Sequence, residues 1–315
     1  MTGIFPPLTR RGFLGGLIGT GAAAALGWTP CVPAQQGERG EPLMKPIPAT
    51  GERIPAIGMG TWITFNVGEL ASLRAQRAEI VAELFARGGR IIDSSPMYGT
   101  SEAVVGYCLD QLDEPDDLFA ATKVWTRMAD RGAAQMAESR RLWGVETFDL
   151  MQIHNLVDWQ THLPRLLDDK DQGRLRYIGI TTSHGRRHAE LMSIMRNEPI
   201  DFVQLTYNIL DREPEKDILP LARERGIAVI ANRPFRQKRL ISRFENAPLP
   251  EWASEIDCAN WPQFLLKFIV SHPDVTCTIP ATTRVDHMRE DTGAMYGRQP
   301  DQAMREQMVR YVERL

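Results

Sequence analysis

From Ile47 onward the chain alternates short apolar runs with longer amphipathic stretches. Ile47 to Trp62 reads as a small hairpin turning at Thr50-Gly51, followed by a strand running into Gly60-Thr61-Trp62. Further apolar runs lie at 90–93, 118–123, 149–154, 176–181, 201–208, 226–232 and 275–283, which makes eight strands with the run into Trp62. Helical patterns occupy 74–87, 102–112, 133–142, 163–171, 187–196, 214–225, 262–270 and 285–291. In the first of these, Ile80, Val81, Leu84 and Phe85 share one face, and Gly88-Gly89 supplies a stop. Strands apolar enough to be covered on both faces, alternating with helices, predict a parallel sheet. Eight repeats favour an α/β fold of the (β/α)8 TIM-barrel type with an N-terminal β-hairpin, over 47–315, rather than an open doubly wound sheet. A length of 315 residues suits this, because barrels of about 250 residues are single domains.

The ends of the strands carry the chemistry. Asp93, Lys123, His154, Thr181-Thr182, Asn208, Asn232-Arg233 and Thr282-Thr283 all stand at C-terminal strand ends, the face on which such barrels place their active sites. Gln152 and His154 share one side of their strand, as do Gln204 and Thr206 of theirs. The polar sets are expected to face the barrel interior, with Met151, Ile153, Val203 and Leu205 facing the helices.

The first 34 residues have a different character. Arg10-Arg11-Gly12-Phe13-Leu14 opens an uncharged stretch to Gly27, and Val32-Pro33-Ala34 is small where an export peptidase cuts. The pattern resembles a twin-arginine signal, whose machinery passes folded proteins. The expectation is a signal peptide over 1–34, a polar linker over 35–46, and a periplasmic or otherwise exported mature protein without a stable membrane span. A net charge of -3 with 24% charged residues gives no basic excess for nucleic acid. The four cysteines, Cys31, Cys108, Cys258 and Cys277, form neither a disulfide framework nor a metal-binding pattern, so no structural metal is expected.

In RIIDSSPMYGTSE, residues 90–102, an aspartate ends an apolar run and a tyrosine follows five positions on. A tyrosine is a weak acid at neutral pH, but a neighbouring ammonium favours its ionised form. Lys123 can supply that charge and Asp93 can keep the lysine protonated. His154 can then orient a carbonyl while Tyr98 delivers a proton, an arrangement that suits hydride addition to an aldehyde or ketone. These four residues, with IPAIGMGTW, GGRIIDSSPMYGTSEAVVG, TKVW, FDLMQIHN, GRLRYIGITT, VQLTYNI and IPATTRVDHMRED in that order, resemble the aldo-keto reductase family over about Pro46 to Ala294.

The resemblance implies an NAD(P)-dependent oxidoreductase with Asp93, Tyr98, Lys123 and His154 as its catalytic set. It implies a cofactor contact at Thr61, a nicotinamide near Thr181, Thr182 and Gln204, a pyrophosphate and adenosine near Arg233, Phe235, Arg236, Thr282, Thr283 and Arg284, and an adenine near Glu290 and Asp291. The sequence departs from the family at Thr181-Thr182, where Ser-Asn is frequent, at Asn232, where an aromatic residue stacks, and at Ala281, where a lysine contacts the 2′-phosphate. Arg284 can take over that phosphate, so NADP(H) is expected ahead of NAD(H). Trp62, Met97, Trp125 and Trp159 suggest an apolar mouth for a small carbonyl compound. Two alternatives are a nucleotide-binding barrel with a sensing role and a Schiff-base lyase using Lys123.

Overall fold

A computed structural model describes residues 40–112 and 117–315. The signal stretch 1–34 and the start of the linker lie outside the described residues. Strands β1 (Met44–Pro46) and β2 (Arg53–Pro55) form an antiparallel hairpin. Its first strand falls within the stretch read as linker, because Leu43 is already anchored by a backbone hydrogen bond to Met295 O. The parallel strands β3 (Met59–Gly60), β4 (Ile91–Asp93), β5 (Phe119–Val124), β6 (Phe148–Ile153), β7 (Leu175–Thr181), β8 (Phe202–Thr206), β9 (Ala228–Asn232) and β10 (Cys277–Thr278) follow one another around a single eight-stranded sheet. Closure comes from Gly58 N–H to Thr278 O, Thr278 N–H to Ala56 O and Gly60 N–H to Pro280 O, each at 2.9 Å. Close approach at this seam favours glycine, since a Cβ on residue 60 would stand 3.0 Å from Ile279 O.

The expected (β/α)8 barrel is therefore present, with its hairpin. β3 and β10 are shorter than the apolar runs: the chain turns from Trp62, and β10 ends at Thr278, two residues before Pro280. The helices α1 (Ala71–Ala86), α2 (Ser101–Asp110), α3 (Ala129–Trp143), α4 (Trp159–Asp171), α5 (His188–Asn197), α6 (Pro214–Arg225), α7 (Arg239–Phe244), α8 (Trp261–Val270), α9 (Val285–Gly293) and α10 (Gln302–Val312) surround the sheet. α7 and α10 were not expected from periodicity. α10 starts where Asp301 accepts the Met304 N–H at 2.8 Å, and it buries Met308 and Val312. Its Arg305 lies 4.2 Å from the Phe268 ring centre and pairs with Glu215 at 2.9 Å, which fastens the helix to the barrel wall.

The interior is layered. At the N-terminal end, hairpin residues Ile47 and Ile54 pack with Ile91, Phe119, Leu150, Tyr177, Phe202, Ile230 and Cys277 and plug the barrel. Burying each isoleucine contributes roughly 1.5–3 kcal/mol. Met151, Ile153, Val203 and Leu205 join the cluster between sheet and helices, as the alternation predicts. That leaves Asp93, Lys123, Gln152, His154, Gln204 and Thr206 as a buried polar layer at the C-terminal end.

Candidate active site

Parallel register places these side chains side by side. Asp93 is aligned with Gly60 on one neighbour and Ala121 on the other, and Lys123 stands directly beside Gln152. Lys123 is fully buried and donates to Asp93 Oδ1 and, at 2.8 Å, to Ser94 O. The second carboxylate oxygen, Oδ2, accepts from Gln152 Nε2 at 2.9 Å and Gln204 Nε2 at 3.0 Å. Thr61 Oγ1 donates to Ser94 Oγ at 2.8 Å, fixing the loop that follows β4. A short 3-10 turn at Pro96–Tyr98, capped by Ser95, returns the phenol over the mouth. The Tyr98 ring centre lies 5.4 Å from Lys123 Nζ and 5.6 Å from the His154 ring, edge to face.

The electrostatics of the phenol differ from the sequence argument. Lys123 was expected to lower the Tyr98 pKa; instead burial, and after it the charge of Asp93, push it above the usual tyrosine value. The physical reason is that Asp93 already compensates the ammonium, so the ring meets desolvation without a free positive charge. Burial likewise lowers the Lys123 pKa, with Asp93 opposing. Burial, with Lys123 second, brings His154 down to about 3, so its imidazole is neutral at physiological pH. Ser95 Oγ lies 2.8 Å from His154 Nδ1. A serine hydrogen given to Nδ1 leaves Nε2 as the N–H donor.

Beside this group, Thr181 Oγ1 accepts the Asn155 N–H at 2.9 Å, and Thr182 O accepts Asn232 Nδ2 at 2.9 Å. Thr182 Oγ1 is buried without a hydrogen-bond partner among the described residues. Such an orphaned hydroxyl is a place for a polar ligand group. In the loop after β9, Arg233, Arg236, Gln237 and Lys238 all have positive φ. Arg233 has no carboxylate partner among the described residues, whereas Arg236 is held by Asp211 and Phe235 packs against the core. After β10, Thr282 Oγ1 accepts the Arg284 N–H at 3.1 Å, Thr283 and Arg284 are exposed, and Arg284 grips Asp286 through Nε at 2.9 Å and through Nη2. Glu290 is half-buried. Asp291 is buried, and burial with the charge of Glu290 pushes its carboxyl well above the usual range.

At the rim, Trp62 is half-buried, while Met97 and Trp125 are exposed at 39% and 42%. Trp159 is turned aside to hydrogen-bond Glu190 at 3.1 Å. The description of the aldo/keto reductase family fits residues 56–307, nearly the whole barrel. This chain belongs to the aldo/keto reductase family. Among its relatives, the methylglyoxal reductase YeaE of Escherichia coli (strain K12) is 25% identical over 248 residues, covering 77% of this chain and 86% of that protein. An NADH-specific methylglyoxal reductase of the same organism is 25% identical over 319 residues, covering 80% and 94%. A Klebsiella pneumoniae aldo/keto reductase solved with NADP and acetate shares the fold at a TM-score of 0.70 and 24% identity, over 83% of this chain and 92% of that one.

Within this reductase barrel, the sequence marks no role for Gln152 or for Ser95. Period-two alternation placed Gln152 on the side of His154, which was the available signal. Nothing local marks Ser95, whose partner lies 59 residues away. No helix among the described residues is long and apolar enough to cross a membrane, and no group of three or more potential metal-ligating side chains occurs among them.

Proposed function

We propose that the chain reduces a small aldehyde or ketone with a nicotinamide cofactor, Tyr98 giving the proton and Lys123, Asp93 and His154 assisting. The observation that carries the reading is the convergence of the phenol on the buried ammonium and imidazole, its ring centre 5.4 Å from Lys123 Nζ and 5.6 Å from the His154 ring. A reduced nicotinamide bound there supplies hydride. His154 Nε2 holds the carbonyl oxygen, and the phenol keeps its proton until a more basic alkoxide oxygen forms beside it. The orphaned Thr182 hydroxyl and the Gln204 amide suit a carboxamide; Arg233, without a carboxylate partner among the described residues, and the start of α9 each suit phosphates.

The preference for NADP(H) over NAD(H) rests on Arg284 and the basic loop after β9. Because Asp286 engages Arg284, a 2′-phosphate has to displace a carboxylate, and the proposed preference is modest. We further propose that the protein is exported after folding, carrying its cofactor, on the strength of the Arg10-Arg11 signal pattern ending at Ala34. A Schiff-base role for Lys123 is disfavoured by its full burial and its commitment to Asp93 and Ser94 O. Turnover of simple aldehydes with both cofactors, together with native mass spectrometry of protein from the export compartment, tests the proposal. Reduced cofactor consumption, a bound nicotinamide and cleavage after Ala34 are expected; absence of turnover with either cofactor overturns the enzyme reading.

A further inference from the structure

The polar layer contains a group that the proposed chemistry does not use. Gln152 is fully buried near the C-terminal end of β6, two residues before His154 and directly beside Lys123. Both ends of its amide are engaged: Nε2 donates to Asp93 Oδ2 at 2.9 Å, and Oε1 accepts from Gln204 Nε2 at 3.2 Å. Gln204 Nε2 also donates to Asp93 Oδ2, at 3.0 Å, so its two hydrogens are both spent within the chain. The Gln204 oxygen, by contrast, has only a long contact of 3.5 Å, to Asn232 Nδ2. Gln204 is thereby turned to present an acceptor, and Asp93 is turned to present Oδ1 to Lys123.

We propose that Gln152 is a positioning residue that orients Asp93 and Gln204 together, linking the amide that receives the nicotinamide carboxamide to the carboxylate that holds Lys123. The inference rests on the nicotinamide reading given above. A buried ion pair is favourable only when its remaining lone pairs are satisfied, and Gln152 supplies one of the two donors on Oδ2. The other comes from Gln204. A residue at 152 unable to both donate and accept releases both neighbours, so the effect appears in catalysis and in the carboxamide contact rather than in carbonyl binding.

Two near-isosteric variants of the full chain test this. Gln152→Met loses both contacts and is expected to lower kcat about 10- to 100-fold with little change in carbonyl KM, as removal of a hydrogen bond to a charged group implies. Gln152→Glu restores the pattern only when protonated, with its hydroxyl donating to Asp93 and its carbonyl accepting from Gln204. Its kcat relative to wild type is therefore expected to rise as the pH falls, whereas the Gln152→Met ratio stays low throughout. Calorimetry supplies a readout without turnover: Gln152→Met is expected to weaken binding of the whole cofactor several-fold more than binding of ADP-ribose, which lacks the nicotinamide. Wild-type kcat in Gln152→Met, a pH-independent ratio for Gln152→Glu, or equal losses for cofactor and ADP-ribose overturns the proposal. A wild-type protein that turns over no aldehyde and binds neither ligand overturns the cofactor reading beneath it.

Discussion

Replacing Asp93 by asparagine breaks the buried ion pair without changing its volume. The new amide has one acceptor oxygen where the carboxylate had two: facing Lys123 it sets its NH2 against the Gln152 and Gln204 donors, which shared Oδ2 at 2.9 and 3.0 Å. Facing those donors, it leaves Lys123 Nζ with Ser94 O alone, at 2.8 Å. Removing one partner of a buried pair costs about 3–5 kcal/mol, which for a domain of this size lowers the Tm by roughly 6–12 °C. The cost has a definite pH dependence. Without Asp93 to oppose burial, the Lys123 pKa falls further, so the folded state releases a proton that the unfolded chain keeps. Stability of Asp93→Asn relative to wild type therefore rises as pH increases toward the ordinary lysine range. Urea or thermal unfolding of both proteins at pH 6 and pH 9 reads the effect. The double variant Asp93→Asn with Lys123→Met, which removes the charge and leaves an amide oxygen for the Gln152 and Gln204 donors, should recover much of the loss while remaining inactive. A loss below about 1 kcal/mol, or one that grows with pH, refutes the account of the pair.

Other expectations follow from contacts at the rim of the same layer. Ser95→Ala removes the partner of His154 Nδ1 and should reduce kcat about tenfold, a loss that steady-state kinetics would register with cofactor binding unchanged. Asp291→Asn should raise the Tm, and by more at pH 8 than at pH 5. The native carboxyl, with its raised pKa, contributes stability at low pH that is lost as pH rises above the unfolded value. Asp286→Ala frees Arg284 and should strengthen NADP over NAD in a binding titration by a few-fold, whereas Arg284→Ala should do the reverse.

Strands were legible because the barrel buries them on both faces, leaving apolar runs that a single sequence displays plainly. Their polar ends were legible for the complementary reason: Asp93, Lys123 and His154 interrupt apolar runs where a buried charge needs partners. The partners themselves were not visible. Gln152 and Gln204 reach Asp93 across 59 and 111 residues, distances fixed only when sheet closure sets the register. The raised Tyr98 pKa was hidden for a related reason: the charge of Lys123 is visible in the sequence, whereas the burial of the phenol is not. Periodicity also passed over α10, whose buried positions Arg305, Met308 and Val312 include a charge that becomes core only through Phe268, Tyr207 and Glu215.

The central claim is that the Tyr98 phenol delivers the proton in carbonyl reduction. Its most direct test is the rate of reduced-cofactor consumption by wild type and Tyr98→Phe with an aldehyde both can bind. The phenylalanine ring preserves the packing against His154 and Lys123. A fall in kcat of about 100-fold or more, with cofactor affinity and Tm unchanged, is predicted for loss of a general acid. Wild-type turnover in Tyr98→Phe would contradict it.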